Sequence, residues 1–265
     1  LAAWEPGARF DLAEVKTCAM QVGAEWHLEG QKVLVLGGRG ADGLLVSACI
    51  SGSQDLGLFL LPAGGPGQQL IAQTLFDGQG SAELTIHEAS GATLLCRGER
   101  SELLGPLELA LDRTVLAHCA DTVGAMARAF EITREYLGTR SQFGKPIAAN
   151  QVVQHRLVDM FVEIEESRSL MRMAANLYDA TASKSDPELK RHLAATKAYV
   201  AQVAHHVWEE SVQLHGAIGM TQEYEVGAYI KRLALASNAA ASASSIGSGP
   251  ARRMRWVWGA KNASG

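Results

Sequence analysis

Residues 33–50 read VLVLGGRGADGLLVSACI, and what this stretch folds into decides the class of the first half of the chain. Gly38, Gly40 and Gly43 spell G-x-G-x-x-G behind an apolar, β-branched run. A dinucleotide-binding turn of that spelling needs a helix to start at the glycines, so that its free N–H groups and its dipole face a pyrophosphate. Here Leu44 to Ile50 continues as a second strand-like run and stops at the turn signal Ser51-Gly52-Ser53. No acidic residue follows at the required distance in a βαβ pattern. The stretch therefore predicts strand, glycine-rich turn, strand, which is a hairpin.

Working outward, residues 1 to about 105 hold most of the strand signals: Cys18–Val22, Glu25–Leu28, Lys32–Leu36, Leu44–Ile50, Leu56–Leu61 and Ala82–His87. Gly30, Gly37-Gly38, Gly64-Gly65-Pro66-Gly67 and Asp77-Gly78-Gln79-Gly80 punctuate them, the turn chemistry of an antiparallel meander or barrel. From Gly105-Pro106 onward the period changes. Leu111, Val115, His118, Thr122, Met126, Ala129, Thr133 and Leu137 recur at helical steps, and Gly138 offers a C-cap. A second helix is expected over Val152–Tyr178 with Val158, Phe161, Ile164, Leu170, Met171, Ala174 and Leu177 buried. Ser185-Asp186-Pro187-Glu188 opens a third, which runs to about Leu214, with Ser185 as cap and proline in the first turn. A fourth begins near Glu225. The expected fold is α+β: an antiparallel, barrel-like β domain over 1–105, then an up-and-down four-helix bundle over 106–265.

The chain has 265 residues, 47% of them hydrophobic, enough for one large or two modest cores. A net charge of -4 provides no basic field for nucleic acid or an anionic membrane. No apolar run approaches the roughly 18 residues of a membrane span, and the first residues lack a signal-peptide pattern. Cys18, Cys49, Cys96 and Cys119 stand singly in apolar contexts without C-x-x-C spacing, which reads as reduced, buried thiols in a cytoplasmic protein.

Two segments carry a resemblance. Arg140-Ser141-Gln142-Phe143-Gly144-Lys145-Pro146-Ile147, followed by Asn150-Gln151, stands between the first two helices. Gln213-Leu214-His215-Gly216-Ala217-Ile218-Gly219-Met220-Thr221, then Glu223-Tyr224, stands between the third and fourth. In order and separation they resemble the R-x-x-F-G-x-x-I…Q and Q-x-x-G-[GA]-x-G-[FM]-[TS]-x-E-[YF] segments of the acyl-CoA dehydrogenase family. Trp4-Glu5-Pro6-Gly7 is similar to the family's T-E-P-G segment at the entry to its middle β domain. An N-terminal helical domain precedes that segment in the family, and here three residues do, so the domain is either absent or was removed.

What the resemblance implies agrees with the chemistry of the residues. An ADP moiety offers a doubly charged pyrophosphate, a ribose and a flat purine. A guanidinium forks onto phosphate oxygens, an aromatic ring meets the purine or ribose, and amides exchange hydrogen bonds with both. Arg140, Phe143, Gln142 and Gln151 supply these, Gln213, Leu214, His215 and Ala217 accompany them in the second motif, and Gly216 and Gly219 let backbone N–H groups approach an anion. Read without the resemblance, Arg140 pairs with Glu135 or Asp159 and Phe143 plugs an inter-helix gap; His215 is either a cofactor contact or a helix cap. In the family these motifs reach into a neighbouring subunit and hold the ADP end of its FAD, which implies an oligomer.

The catalytic positions have changed. The family draws its α-proton base from a stretch like Y-E-G-T-S, whose counterpart here is Ala240-Ala241-Ser242-Ala243-Ser244, or from a helix position that falls on Thr114. Neither Ala241 nor Thr114 is a base. Asp112, two residues off, lies roughly 200° around the helix. Leu34 and Leu36 fall where the family places a tryptophan and a hydroxyl residue against the isoalloxazine, and Arg9 and Phe10 replace small residues after T-E-P-G. No catalytic residue is therefore expected. The expectation is a non-catalytic subunit sharing FAD with a homologous catalytic partner, as an α2β2 heterotetramer acting on an acyl-CoA or steroid-CoA. Mixed pairs of this kind occur in the family's actinobacterial lipid and sterol degradation. The alternatives are a self-sufficient enzyme using Asp112 and a cofactor-free assembly partner. His205-His206 diverge by about 100° on a helix and cannot chelate jointly. Arg252, Arg253, Arg255, Trp256 and Trp258 read as a solvated helix end.

Overall fold

The structure is a computed structural model that describes residues 1–8, 11–181, 186–221 and 223–243, the last six of these by backbone alone. Six strands form the first half: β1 Cys18–Val22, β2 Glu25–Lys32, β3 Gly43–Ile50, β4 Leu56–Pro62, β5 Gln68–Thr74 and β6 Gly80–Gly98. Their order is β2-β1-β3-β4-β6-β5, and β2 also pairs with β6. The 19-residue β6 makes this possible: its early part pairs with β5 and β2, and Thr93 to Gly98 pairs with β4. The result is barrel-like and antiparallel except for β1 beside β3. Alternating positions such as Val46, Phe59, Leu61, Leu84 and Ile86 point to one buried face, where they form the core.

The opening stretch folds differently from the expected hairpin. β2 ends at Lys32, and β3 pairs with β1 and β4, not with β2. Leu34 and Gly37 have positive φ, 50° and 70°, which turns the chain out of the strand. Its backbone groups find other partners: Val33 N–H donates to Trp4 O (2.9 Å), Val35 exchanges bonds with Ala82, and Gly37 N–H donates to Gly80 O (3.0 Å). The glycines hold only a three-residue 3-10 turn, Gly38–Gly40, so no helix dipole faces a ligand there. β5 has no counterpart in the expected strands because it is mostly exposed and polar, and gives no apolar alternation.

Glu5 organises the segment that resembles T-E-P-G. Its carboxylate accepts from Lys16 N–H (2.7 Å), Thr17 N–H (3.0 Å), Thr17 Oγ1 (2.7 Å) and Lys32 Nζ (2.7 Å), and Lys32 also donates to Ser47 Oγ (3.1 Å). Both ionised side chains are buried. Burial opposes the charge on Glu5, but the bonds from Lys32 and Thr17 outweigh it and hold the carboxyl below its ordinary range. Arg9 and Phe10 lie outside the described residues.

The second half contains α1 Arg100–Thr139, β7 Ser141–Gln142, β8 Lys145–Pro146, α2 Gln151–Ala180, α3 Pro187–His215 and α4 Val226–Ala243. α1 and α3 each pack against both α2 and α4, around a core that includes Met126, Leu137, Met160, Ile164, Val207 and Leu233. The expected boundary at 105/106 falls inside α1, which carries Pro106 on its exposed side. The first two turns are helical because Leu103 packs with Val15 and Leu56, and Leu107 with Ala3 and Leu12. Gly138 stays helical, and the cap is Arg140, whose N–H donates to Tyr136 O. On α2, Val158 and Phe161 are exposed, while Val153, Met160, Ile164, Ser167, Ala174 and Tyr178 are buried. The α3 cap is Asp186, which accepts from Glu188 N–H at 2.7 Å; Ser185 lies outside the described residues. Arg232 of α4 ties the layers together, donating to Asp77 in the β5–β6 turn (2.6 Å) and to Asp121 of α1 (2.9 Å).

Of the cysteines, only Cys119 is buried; Cys18 and Cys96 are exposed, against expectation, because each sits on the outward side of its strand. No described helix is long and apolar enough to cross a membrane.

Candidate cofactor site

The segment after α1 is a small hairpin. Ser141 pairs with Pro146 and Gln142 with Lys145, and the two turn residues, Phe143 and Gly144, have φ of 53° and 80°. Both values are positive, as in the primed two-residue turns whose twist matches that of the strands. Glycine takes this conformation freely, but phenylalanine does not. The Phe143 ring nonetheless stands fully in solvent, so no packing within the chain repays the strained backbone. Arg140, Gln142 and Gln151 are exposed beside it. Neither Glu135 nor Asp159 pairs with Arg140, and among the described residues no carboxylate is assigned to its guanidinium. Ile147 N–H donates to Arg140 O (2.9 Å) and folds the hairpin back toward α2.

The second segment starts where α3 ends. Gly216 has φ 62° and donates its N–H to Gln213 O and Val212 O, and residues 216–220 form a 3-10 turn. A Cβ on Gly216 would meet open space, whereas one on Gly219 would lie 2.9 Å from His215 Cβ and 3.3 Å from Val212 O. Gln213, Gly216 and Ala217 face solvent, and Leu214, His215 and Gly219 form the floor beneath them.

The two segments meet at one end of the bundle. Tyr136, in the last turn of α1, stacks on His215 with ring centroids 4.7 Å apart and planes at 23°. Tyr224 meets both rings edge-on. His215 Nδ1 lies 2.8 Å from Ser211 O, so Nδ1 carries the proton, and the buried Nε2 has no partner. Burial pushes the imidazole below its ordinary pKa, with the Ser211 bond opposing. The ring is packed inside and makes no side-chain cap bond to the 3-10 turn that follows. Tyr224 closes the second motif, whereas Tyr136 was not singled out by spacing, although it sits one helical turn before Arg140.

The remaining candidates are otherwise occupied. Asp112 is paired with Lys190 at 2.6 Å, and Glu108 with the same lysine at 3.4 Å. Thr114 Oγ1 donates back to Ala110 O. His205 pairs with Glu209 and His206 with Glu163, and no metal-binding cluster occurs among the described residues. Leu36 is exposed and Leu34 half-buried at its positive φ. The side chain of Ala241, and Ser244 and the Arg252–Trp258 tail, lie outside the described residues.

The exposed set fits the ADP part of a flavin dinucleotide: an unpaired guanidinium, an outward aromatic ring, free amides, and a glycine turn open to close approach. The set stands at the C-terminal end of α1, about 18 residues or roughly 27 Å beyond Asp121, which Arg232 bridges to Asp77 in the β5–β6 turn. α1 has 40 residues, so it spans roughly 60 Å at 1.5 Å per residue. It starts against β4 and the N-terminal segment and ends at the hairpin.

A family model described as Acyl-CoA dehydrogenase, C-terminal domain, matches residues 107–240. Cyclohex-1-ene-1-carbonyl-CoA dehydrogenase of Syntrophus aciditrophicus is 33% identical over 239 residues, 85% of this chain and 55% of that protein. Acyl-CoA dehydrogenase IpdE2 of Mycobacterium tuberculosis is 32% identical over 136 residues, 51% of this chain and 40% of that one. Among solved structures, a variant of the Tcur3481-Tcur3483 steroid ACAD superposes with a TM-score of 0.74 at 29% identity, covering 92% of this chain and 63% of that chain. The chain spans about half the length of the curated relatives it matches. With its helical half matched as a domain, and its β layer and bundle joined as in solved relatives, this chain belongs to the acyl-CoA dehydrogenase family.

Proposed function

We propose that this chain is the non-catalytic subunit of a heteromeric, FAD-dependent acyl-CoA dehydrogenase. A homologous partner supplies the catalytic carboxylate and the isoalloxazine pocket, and this chain grips the ADP half of the partner's FAD. The observation that carries the reading is the outward hairpin: Phe143 fully exposed on strained backbone and Arg140 with no ion-pair partner among the described residues, at the end of a 40-residue helix whose start packs on the β layer. A ligand held there comes from another subunit.

The chemistry that bound FAD supplies is acceptance of the β-hydride of a CoA thioester, while a carboxylate removes the α-proton. This chain's part is binding. Arg140 neutralises pyrophosphate charge, Phe143 offers its ring to the purine or ribose, and Gln142, Gln151 and Gln213 hydrogen-bond the sugar and phosphates. Gly216 admits close approach because it has no Cβ. The carboxylate nearest Thr114 along α1, Asp112, is committed to Lys190 and is not free to serve as base. The paired names of the Tcur3481-Tcur3483 steroid ACAD support a two-chain assembly; the proposed complex is α2β2, with an acyl-CoA or steroid-CoA at the partner's site. The setting is cytoplasmic.

Purification alone and together with the homologous partner, followed by the flavin absorption spectrum, tests this. The expected result is no flavin alone and FAD in the pair. Flavin with turnover in the single chain overturns the reading in favour of a self-sufficient enzyme, and a colourless pair overturns it in favour of a cofactor-free assembly subunit. Ala241→Glu alone should restore little turnover, because Leu34 and Leu36 remain where flavin-contacting residues stand in the family.

A further inference from the structure

The two halves of the proposed grip lie far apart in sequence, and both are exposed turns. A site built on turns binds weakly unless something holds them in register before the ligand arrives. We infer that Tyr136, His215 and Tyr224 form a positioning unit that locks the Arg140 hairpin to the Gly216 turn, presetting the site for a nucleoside diphosphate. The ligand in this inference rests on the function proposed above; the coupling rests on the rings.

Each ring belongs to a different element: Tyr136 to the last turn of α1, His215 to the last residue of α3, and Tyr224 to the segment leading into α4. Tyr136 and His215 stack at 4.7 Å, and Tyr224 closes the cluster edge-on at 5.3 Å from His215 and 6.1 Å from Tyr136. Such offset and edge arrangements are the favoured geometries of aromatic pairs. The link from ring to site is short on both sides. Tyr136 O accepts the N–H of Arg140 at 2.8 Å, and Gly216 follows His215 directly.

His215 is fixed from four directions. Its Nδ1–H donates to Ser211 O one turn back, Tyr136 covers its face, Tyr224 meets its edge, and Gly219 leaves no room for so much as a methyl group against its Cβ. The buried Nε2 is left without a partner. A phenylalanine would pack there without that unmet polar atom, but it could not make the Ser211 bond that sets the ring's rotation.

The test uses the full chain and three readouts: calorimetric titration with ADP, amide hydrogen exchange at 141–147 and 216–221, and thermal melting. Tyr136→Leu, a change in α1, should speed exchange at 216–221 on the other side of the cluster and weaken ADP binding about tenfold, as expected for lost preorganisation. Tyr136→Phe should keep both near wild type. If Tyr136→Leu does not fold, His215→Asn, which keeps a donor toward Ser211 but loses the stacked ring, should loosen 141–147 instead. The inference is overturned if these variants leave exchange across the cluster unchanged, or if they loosen every helix equally. Arg140→Ala separates the two readings. If wild type does not bind ADP, or binds it no better than Arg140→Ala, the nucleotide reading fails, and exchange across the cluster alone decides the coupling. If Arg140→Ala loses ADP while Tyr136→Leu does not, the nucleotide reading stands and the coupling fails.

Discussion

Lys32 and Arg140 are both cations on strand-adjacent backbone, and the molecule treats them in opposite ways. Lys32 is buried, and its ammonium is satisfied by Glu5 and Ser47. Arg140 stands in solvent beside a fully exposed phenylalanine. In the β layer, charge is turned inward and fastens the N-terminal segment to the sheet; at the bundle's end it is held outward, with no ion-pair partner among the described residues. The contrast shows how structural and ligand-directed charges can be told apart. The first has its partners in the chain, so removing it should cost stability. The second has none among the described residues, so removing it should leave the fold intact.

That contrast can be broken or sharpened by substitution, beginning with the largest effect on stability. Lys32→Met leaves the Glu5 carboxylate buried without its counter-ion and should cost about 3–5 kcal/mol, read from denaturant midpoints. Adding Glu5→Gln to it should recover part of the loss, since the uncompensated charge is then gone. An undiminished midpoint in Lys32→Met would show that the pair is not the fastening described here. Gly219→Ala comes next: its Cβ would press on His215 Cβ and Val212 O, and overpacking of this kind costs roughly 1–3 kcal/mol.

Acid should act more gently, through histidine. His215 is pushed below its ordinary value by burial, against the opposing Ser211 bond. His118 is pushed down by burial and by Lys197 and Arg232, with Asp121 and Asp77 opposing. A histidine whose folded value is depressed takes up its proton more readily when unfolded. Its contribution is therefore complete above about pH 6.5 and is lost as pH falls from there toward the depressed folded value. The melting temperature measured from pH 7.5 to 5.0 should fall over the acidic part of that range, and less steeply in His215→Asn. The smallest stability effect belongs to Arg140→Ala, whose melting curve should overlay wild type while FAD occupancy of the paired complex drops. Unchanged occupancy would count against the role in trans.

Much of this was legible along the chain. The stripe from Leu111 to Leu137 faces inward through its C-terminal half, with Thr122, Met126, Ala129, Thr133 and Leu137 all buried, because a 3.6-residue period has one answer when three neighbours surround a helix. The same rule misassigned Val158 and Phe161, since α2 lies on one side of the bundle and the direction of its neighbours is not encoded in its own spacing. The motif residues stood out by types that match phosphate, ribose and purine chemistry, and the structure leaves Arg140, Gln142, Phe143 and Gln151 exposed. Tyr136 did not stand out, because tyrosine at a helix end is common, and only the arrival of His215 against its ring gives it a role.

The sequence by itself determined the change from strand to helix period and the positions of four helices, because composition and period are local properties. The tertiary structure decided which strands pair, that Val33 to Gly37 leaves β2 for Trp4 and β6, that Glu5 and Lys32 share a buried cluster, and that Tyr136 and His215 bring the two motifs to one end of the bundle. Those outcomes depend on backbone groups finding partners distant in sequence, and on which rings and charges are left with none, which no local pattern records.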